Sequence, residues 1–196
     1  MRHKRQARHS IGIEIDQSLA VNFSCGIQGL EVINGCAIEF LESFPFTGHE
    51  FIYLDPPYLL EARRRRSPIY KHEMMDVQSH ARLLQVIKSI SSPVMISGYW
   101  SELYAVQLAA WRTVTFPMMT RGGSSAIEWL WMNYPEPIRL HDYSFIGENK
   151  SQRQAFKRLI ARQKTRLERM PVLKRRALLA AIRELDQDTA STVSTQ

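Results

Sequence analysis

Phe51-Ile52-Tyr53-Leu54-Asp55-Pro56-Pro57-Tyr58 is the stretch on which the reading of this chain turns. Its first four residues are apolar or aromatic and predict a buried strand, Phe51 to Leu54, which the two prolines stop. In a parallel α/β sheet, ligands bind beyond the carboxyl ends of the strands, so a polar residue followed by rigid backbone stands there in position to act. Pro56 and Pro57 surrender their N–H groups and fix their φ angles, which leaves carbonyl oxygens aimed without internal competition. Asp55 beside those carbonyls makes a paired acceptor suited to an NH₂ group. Tyr58 supplies a stacking face for a flat base.

Outward from this stretch, short apolar runs alternate with helical patterns, the signature of a layered α/β sheet. Strands are expected at Ile11 to Ile15, Leu30 to Ile33, Val94 to Ser97, Thr113 to Met118 and Ala126 to Asn133. Helices are expected at Gln17 to Cys25, Cys36 to Ser43, from Asp76 onward with Leu83, Leu84, Ile87 and Ile90 on one face, and at Glu102 to Ala110. Tyr134-Pro135-Glu136-Pro137 breaks the pattern, and beyond it the spacing of Phe156, Leu159, Ile160, Leu167 and Met170 predicts a helix. Pro171 then opens a second helix bearing Leu178, Leu179, Ile182 and Leu185, for a helical hairpin with a frayed tail from Thr189 to Gln196.

The chain of 196 residues is 44% hydrophobic and 23% charged, which excludes wholesale disorder and suits one compact domain with an extension. No apolar run approaches the ~20 residues that span a bilayer, and MRHKRQARHS lacks the apolar centre of a secretory signal, so a cytoplasmic protein is expected. Cys25 and Cys36 are too few for a disulfide framework and read as small buried residues. His72 and His80 stand eight apart without a third ligand and read as surface or helix-packing residues, not a metal site. Charge is uneven: Lys150 to Arg183 hold twelve Lys or Arg against Glu168 alone, which leaves the rest of the chain net acidic although the whole is +7. Such a segment suits a polyanion, or is the solvated face of a hairpin packed on its own core.

At Asp55-Pro56-Pro57-Tyr58 the sequence resembles the DNA adenine-N6 methyltransferases, whose catalytic motif reads Asp-Pro-Pro-Tyr. Tyr70-Lys71-His72-Glu73-Met74, His80, Ile96-Ser97-Gly98-Tyr99, Trp111 and Glu128-x-Leu130-Trp131-x-Asn133-Tyr134 look like phage and prophage members of that family. Ile11-Gly12-Ile13-Glu14-Ile15-Asp16 is similar to the family's second cofactor strand. The resemblance implies a Rossmann-like, class I S-adenosylmethionine-dependent sheet. It implies catalysis by Asp55, Pro56, Pro57 and Tyr58, a cofactor contacted by Glu14, Ile15, Cys36 and Asp55, and double-stranded DNA as partner, with no metal and no membrane. Asp55 and the Pro56 carbonyl would hold the hydrogens of adenine N6, and Tyr58 would stack on the extruded base.

Two departures from the family's pattern shape the remaining expectations. Its Phe-x-Gly-x-Gly turn should precede Glu14, yet the thirteen residues there hold no Gly-x-Gly, so the sheet is expected to lack its central first strand. Asn34-Gly35-Cys36 stands where relatives carry Gly-Asp, and a thiol replaces a carboxylate acceptor poorly. The eighteen residues between Cys36 and Asp55 leave no room for a folded recognition insert. DNA contact is therefore assigned to Arg63, Arg64, Arg65 and Arg66 and to Lys174, Arg175 and Arg176 in the tail. The expected organisation is a catalytic domain over residues 1–137 and a basic helical extension over 138–196. The alternative is a catalytically impaired DNA-binding remnant of such an enzyme.

Overall fold

The computed structural model describes residues 7–24, 29–59, 76–119, 123, 125–140 and 142–193. The chain divides into two compact units, Met1–Glu136 and Pro137–Gln196. The first is a mixed α/β unit. It opens with β1 (Ser10–Glu14), α1 (Gln17–Ser24), β2 (Leu30–Asn34) and α2 (Ala37–Ser43). Then follow β3 (Ile52–Leu54), α3 (Val77–Ser89), β4 (Val94–Gly98), α4 (Glu102–Gln107), β5 (Arg112–Met119) and β6 (Ser125–Met132).

The strands form two hydrogen-bonded sheets. β1 and β2 pair in parallel, Ser10 opposite Leu30 and Glu14 opposite Asn34. The second sheet has the order β3-β4-β6-β5, with β3 and β4 parallel and β6 antiparallel to both its neighbours. The sequence reading expects a Rossmann-like sheet without its central first strand, and among the described residues no strand joins β1 to β3. Pro117 sits in β5 opposite Ile127, which is tolerated because β5 is an edge strand and a missing donor there breaks no second ladder.

The core lies at the four-stranded sheet. Leu83, Leu84 and Ile87 on one face of α3 are buried with Val94 and Ile96 of β4 and Trp131 of β6, and Ile38 and Leu41 of α2 join the same cluster. α3 starts sharply because the Asp76 carboxylate accepts from the Ser79 N–H at 2.7 Å, an N-cap that satisfies one of the helix's orphan donors. His80 fills the first position of the buried α3 face, with Nδ1 2.8 Å from the Tyr104 hydroxyl, and so has a packing role. Cys25 and His72 lie outside the described residues.

The second unit holds a short 3₁₀ turn, Tyr143–Phe145, then α5 (Lys150–Glu168) and α6 (Val172–Val193). Gly147, before α5, has φ 121°, and a Cβ there would fall 2.9 Å from the Arg153 backbone nitrogen, so only glycine fits. The break at Pro171 falls as the sequence predicts. The expected frayed tail from Thr189 is corrected: α6 continues to Val193, since no glycine or proline follows Pro171 to stop it. No described side chain of α5 or α6 is buried, and Leu173, Ile182 and Leu185 are exposed. Neither helix therefore buries an apolar stripe against the other as a packed hairpin would. Among the described residues no helix is long and apolar enough to cross a membrane.

Candidate active site

Asp55 follows the last residue of β3, and the parallel register that sets Leu54 beside Ile96 brings Ser97 of β4 next to it. The Ser97 Oγ, buried at the strand end, lies 3.1 Å from Asp55 Oδ1 and 3.3 Å from the Leu54 carbonyl. The Tyr53 hydroxyl stands 3.1 Å from the same Oγ. An ionised carboxylate only accepts, so with Ser97 donating to Asp55 the Tyr53 hydroxyl donates to Ser97, and donation runs from Tyr53 through Ser97 to Asp55. The exposed Asp55 keeps its second oxygen clear of hydrogen bonds among the described residues and open to an incoming donor.

Tyr58 is tied at both ends of its ring system. Its hydroxyl donates to Glu128 Oε1 of β6 at 3.0 Å, and its ring lies 4.2 Å from that of Tyr99, centroid to centroid, tilted by 40°. Burial pushes the Tyr58 phenol far above its ordinary range, and the hydrogen bond to Glu128 pushes it the same way, so it remains a donor. Tyr99 is shifted upward as well, first by burial and then by the Glu128 charge. Glu128 itself is buried. Ser97 pairs with Leu130, and Glu128 is two residues along the same strand, so the pleat puts both polar groups on one face of the sheet.

Of the residues that the sequence singles out, Asp55, Pro56, Pro57 and Tyr58 come together as one strand-end cluster. Ser97, Tyr99 and Glu128 join them, residues that the sequence marked only as part of a resemblance. A signal was available for two: Ser97 and Glu128 are polar residues within the apolar strands Val94 to Ser97 and Ala126 to Met132, where an unpaired polar group would be costly.

The cofactor candidates lie on the other sheet. Glu14 ends β1, and its Oε1 accepts from the Asp16 N–H at 2.9 Å, which fixes the carboxylate just past the strand. The Asn34 side-chain amide donates to the Glu14 and Ile15 carbonyls at 2.9 and 3.0 Å and ties β1 to β2 there. Oε2 takes no hydrogen bond among the described residues, so Glu14 fits the acceptor role that a ribose diol requires. Ile15 is exposed, and the half-buried Cys36 sits at the N-cap of α2 with no side-chain cap hydrogen bond. No Gly-x-Gly exists anywhere in the sequence to cradle a methionine moiety.

Arg63, Arg64, Arg65 and Arg66 lie outside the described residues. Lys174, Arg175 and Arg176 stand on the first turns of α6, the outer two exposed. Among the described residues no group of three His, Cys, Asp or Glu side chains could hold a metal.

The first unit is thus a mixed α/β fold in which the parallel strand pair of β3 and β4 ends in a braced acidic residue, two prolines and an aromatic ring. Residues 33–112 match the family model for D12 class N6 adenine-specific DNA methyltransferases, and the resemblance read from the sequence holds over that segment. Methyltransferases of this class generally use S-adenosylmethionine. The match takes in Cys36, Asp55 to Tyr58, Ser97 and Tyr99, and does not extend to Glu14, Glu128 or α5 and α6. No curated protein matches the chain.

Proposed function

We propose that this chain methylates the N6 amine of an adenine extruded from double-stranded DNA. The observation that carries the reading is the bracing of Asp55 by Ser97 at the end of β3, beside Tyr58 and inside the matched segment. Adenine N6 is a poor nucleophile because its lone pair is delocalised into the ring. The free oxygen of Asp55 and the Pro56 carbonyl accept its two hydrogens and let the nitrogen become more tetrahedral. Because Ser97 occupies Oδ1, the carboxylate is fixed in rotation before the base arrives, and such positioning supplies much of the rate. The nitrogen sheds one proton once it is methylated, and Asp55, already hydrogen-bonded to it, is the base in reach.

S-adenosylmethionine, when bound, supplies an activated methyl on a sulfonium, and Glu14 would hold its ribose with Ile15 and Cys36 alongside. The two sheets are read as parts of one Rossmann-like sheet divided at β1 and β3. Residues 1–137 are the catalytic domain. In the extension, 138–196, the cations of α5 and α6, the exposed Lys174 and Arg176 and the half-buried Arg175 among them, contact phosphates without regard to sequence, and Arg63 to Arg66 are assigned phosphate contacts as well.

Asp55→Ala tests the reading. Transfer of labelled methyl from S-adenosylmethionine to adenine in DNA is expected to fall by about a hundredfold or more, as for loss of a residue acting directly on the reacting atom. The melting temperature should stay near that of the wild type, since Asp55 is exposed. Activity in the variant equal to wild type, or a parallel loss of folding, would overturn the assignment.

A further inference from the structure

Tyr53 is half exposed, at 50%, yet its hydroxyl is not left to water: it stands 3.1 Å from the Oγ of Ser97, which is 2% exposed. An amphipathic side chain ordinarily keeps its polar tip wet and lays its apolar body on the protein, so an exposed tyrosine whose hydroxyl turns to a buried serine departs from that habit. The parallel register shows how it gets there. Tyr53 lies beside Met95 and Leu54 beside Ile96, so the pleat puts Tyr53 and Asp55 on the same face of the sheet as Met95 and Ser97. The tyrosine, one pleat behind Asp55, reaches forward along that face to the serine that holds the carboxylate.

Ser97 has one proton and two acceptors in range, Asp55 Oδ1 at 3.1 Å and the Leu54 carbonyl at 3.3 Å. A serine hydroxyl rotates to suit its neighbours, so by itself it is shared between the two. The Tyr53 proton takes one lone pair of Oγ, which narrows the directions left to the serine's own proton. A hydroxyl that accepts a hydrogen bond also donates a stronger one.

We propose that Tyr53 is a positioning residue for the methyl transfer, acting on Asp55 through Ser97: its hydroxyl commits the serine proton to the carboxylate and so holds the group that accepts from adenine N6. This deepens the adenine-methyltransferase reading and rests on it. Tyr53 needs no contact with the base for this role, and all three residues lie inside the matched segment, 33–112.

The test uses the full chain as wild type and as Tyr53→Phe, Ser97→Ala and the two combined. Phenylalanine keeps the ring and removes only the hydroxyl of a half-exposed residue, so the melting temperature should match wild type. In single-turnover transfer of labelled methyl from S-adenosylmethionine to adenine in DNA, Tyr53→Phe should be slower by about fivefold, the size of one ordinary hydrogen bond expressed in the transition state. Ser97→Ala removes the bond to the carboxylate itself and should be slower by about tenfold or more. KM for DNA and for S-adenosylmethionine should not move in Tyr53→Phe, because holding Asp55 acts on the reacting nitrogen and not on uniform binding. The double variant should be no slower than Ser97→Ala alone, since the tyrosine acts only through the serine. A second readout needs no turnover: the side-chain carbonyl resonance of Asp55 in cofactor-free chain made with isotopically labelled aspartate, assigned by its absence in Asp55→Ala. It should shift in Ser97→Ala, shift less in Tyr53→Phe, and in the double variant match Ser97→Ala.

Tyr53→Phe with a wild-type rate, or with an unmoved Asp55 resonance, would overturn the positioning role and leave the adenine-methyltransferase reading standing. So would a further loss when Tyr53→Phe is added to Ser97→Ala, or a loss that falls on KM for DNA, because either shows the hydroxyl acting on substrate and not through Ser97. A wild-type chain that transfers no methyl to adenine would sink that reading and the positioning role with it, whatever the resonances do, which separates the two failures.

Discussion

Two parallel strands of this molecule end in an acid, β3 with Asp55 just past it and β1 with Glu14 at its tip, and the two acids are held in different ways. Asp55 is braced by Ser97, forty-two residues away on the neighbouring strand, over a buried β4 and the α3 core. Glu14 is braced by the backbone of Asp16, two residues on, at the end of strands with no buried residue. The first arrangement exists only when the sheet is assembled on its core. The second is local and is fixed by the turn that follows β1. A long-range hydrogen bond over the buried core thus holds Asp55, while short-range geometry holds Glu14.

The core variant is the hardest strike at this contrast. Leu84 is fully buried, so Leu84→Ala should cost about 2–5 kcal/mol in denaturant unfolding, the range for a leucine lost from a packed core. The half-buried Ile13 of β1 should cost about 1 kcal/mol when changed to Ala, near the centre of ordinary substitutions. Equal costs at the two positions would erase the contrast between the sheets.

Glu14→Ala sharpens it from the other side. Loss of charge-assisted bonds to the ribose should weaken S-adenosylmethionine binding by roughly tenfold or more in isothermal titration, at about 1.5–3 kcal/mol per bond. The melting temperature should barely move. Unchanged affinity would remove Glu14 from the cofactor site.

The smallest effect concerns the start of the same four-stranded sheet. Ser92 Oγ donates to Glu50 Oε2 at 2.6 Å, the Thr47 N–H and hydroxyl donate to the same carboxylate, and together they hold Glu50 down at about 2, with the Ser92 bond the largest cause. A depressed pKa means that the native state holds its proton less tightly than the unfolded chain does. The stability it contributes is therefore present above the ordinary glutamate value of roughly 4.3 and is lost as pH falls through about 2. Glu50→Gln should lower the melting temperature slightly at neutral pH and converge on wild type near pH 2. Melting curves with the same difference at both pH values would exclude Glu50 as the source.

The sequence by itself determined the elements and the Asp-Pro-Pro-Tyr motif. β3 ends where Pro56 and Pro57 forbid its continuation, α3 starts where Asp76 can cap it, and α3 faces inward along Leu83, Leu84 and Ile87, since each depends on residues a few positions apart. The same local logic set the frayed tail too early, because small polar composition was weighed above the absence of any helix breaker after Pro171. Only the tertiary structure decided what surrounds the motif. That Tyr53, Ser97 and Asp55 form one line of donation, and that Glu128 reaches back to Tyr58, depends on the register of β3 on β4 and of β4 on β6. Register is a property of paired strands. A shift of one residue would turn Ser97 and Glu128 to the opposite face with every other side chain, and no short-range rule in the sequence fixes that choice.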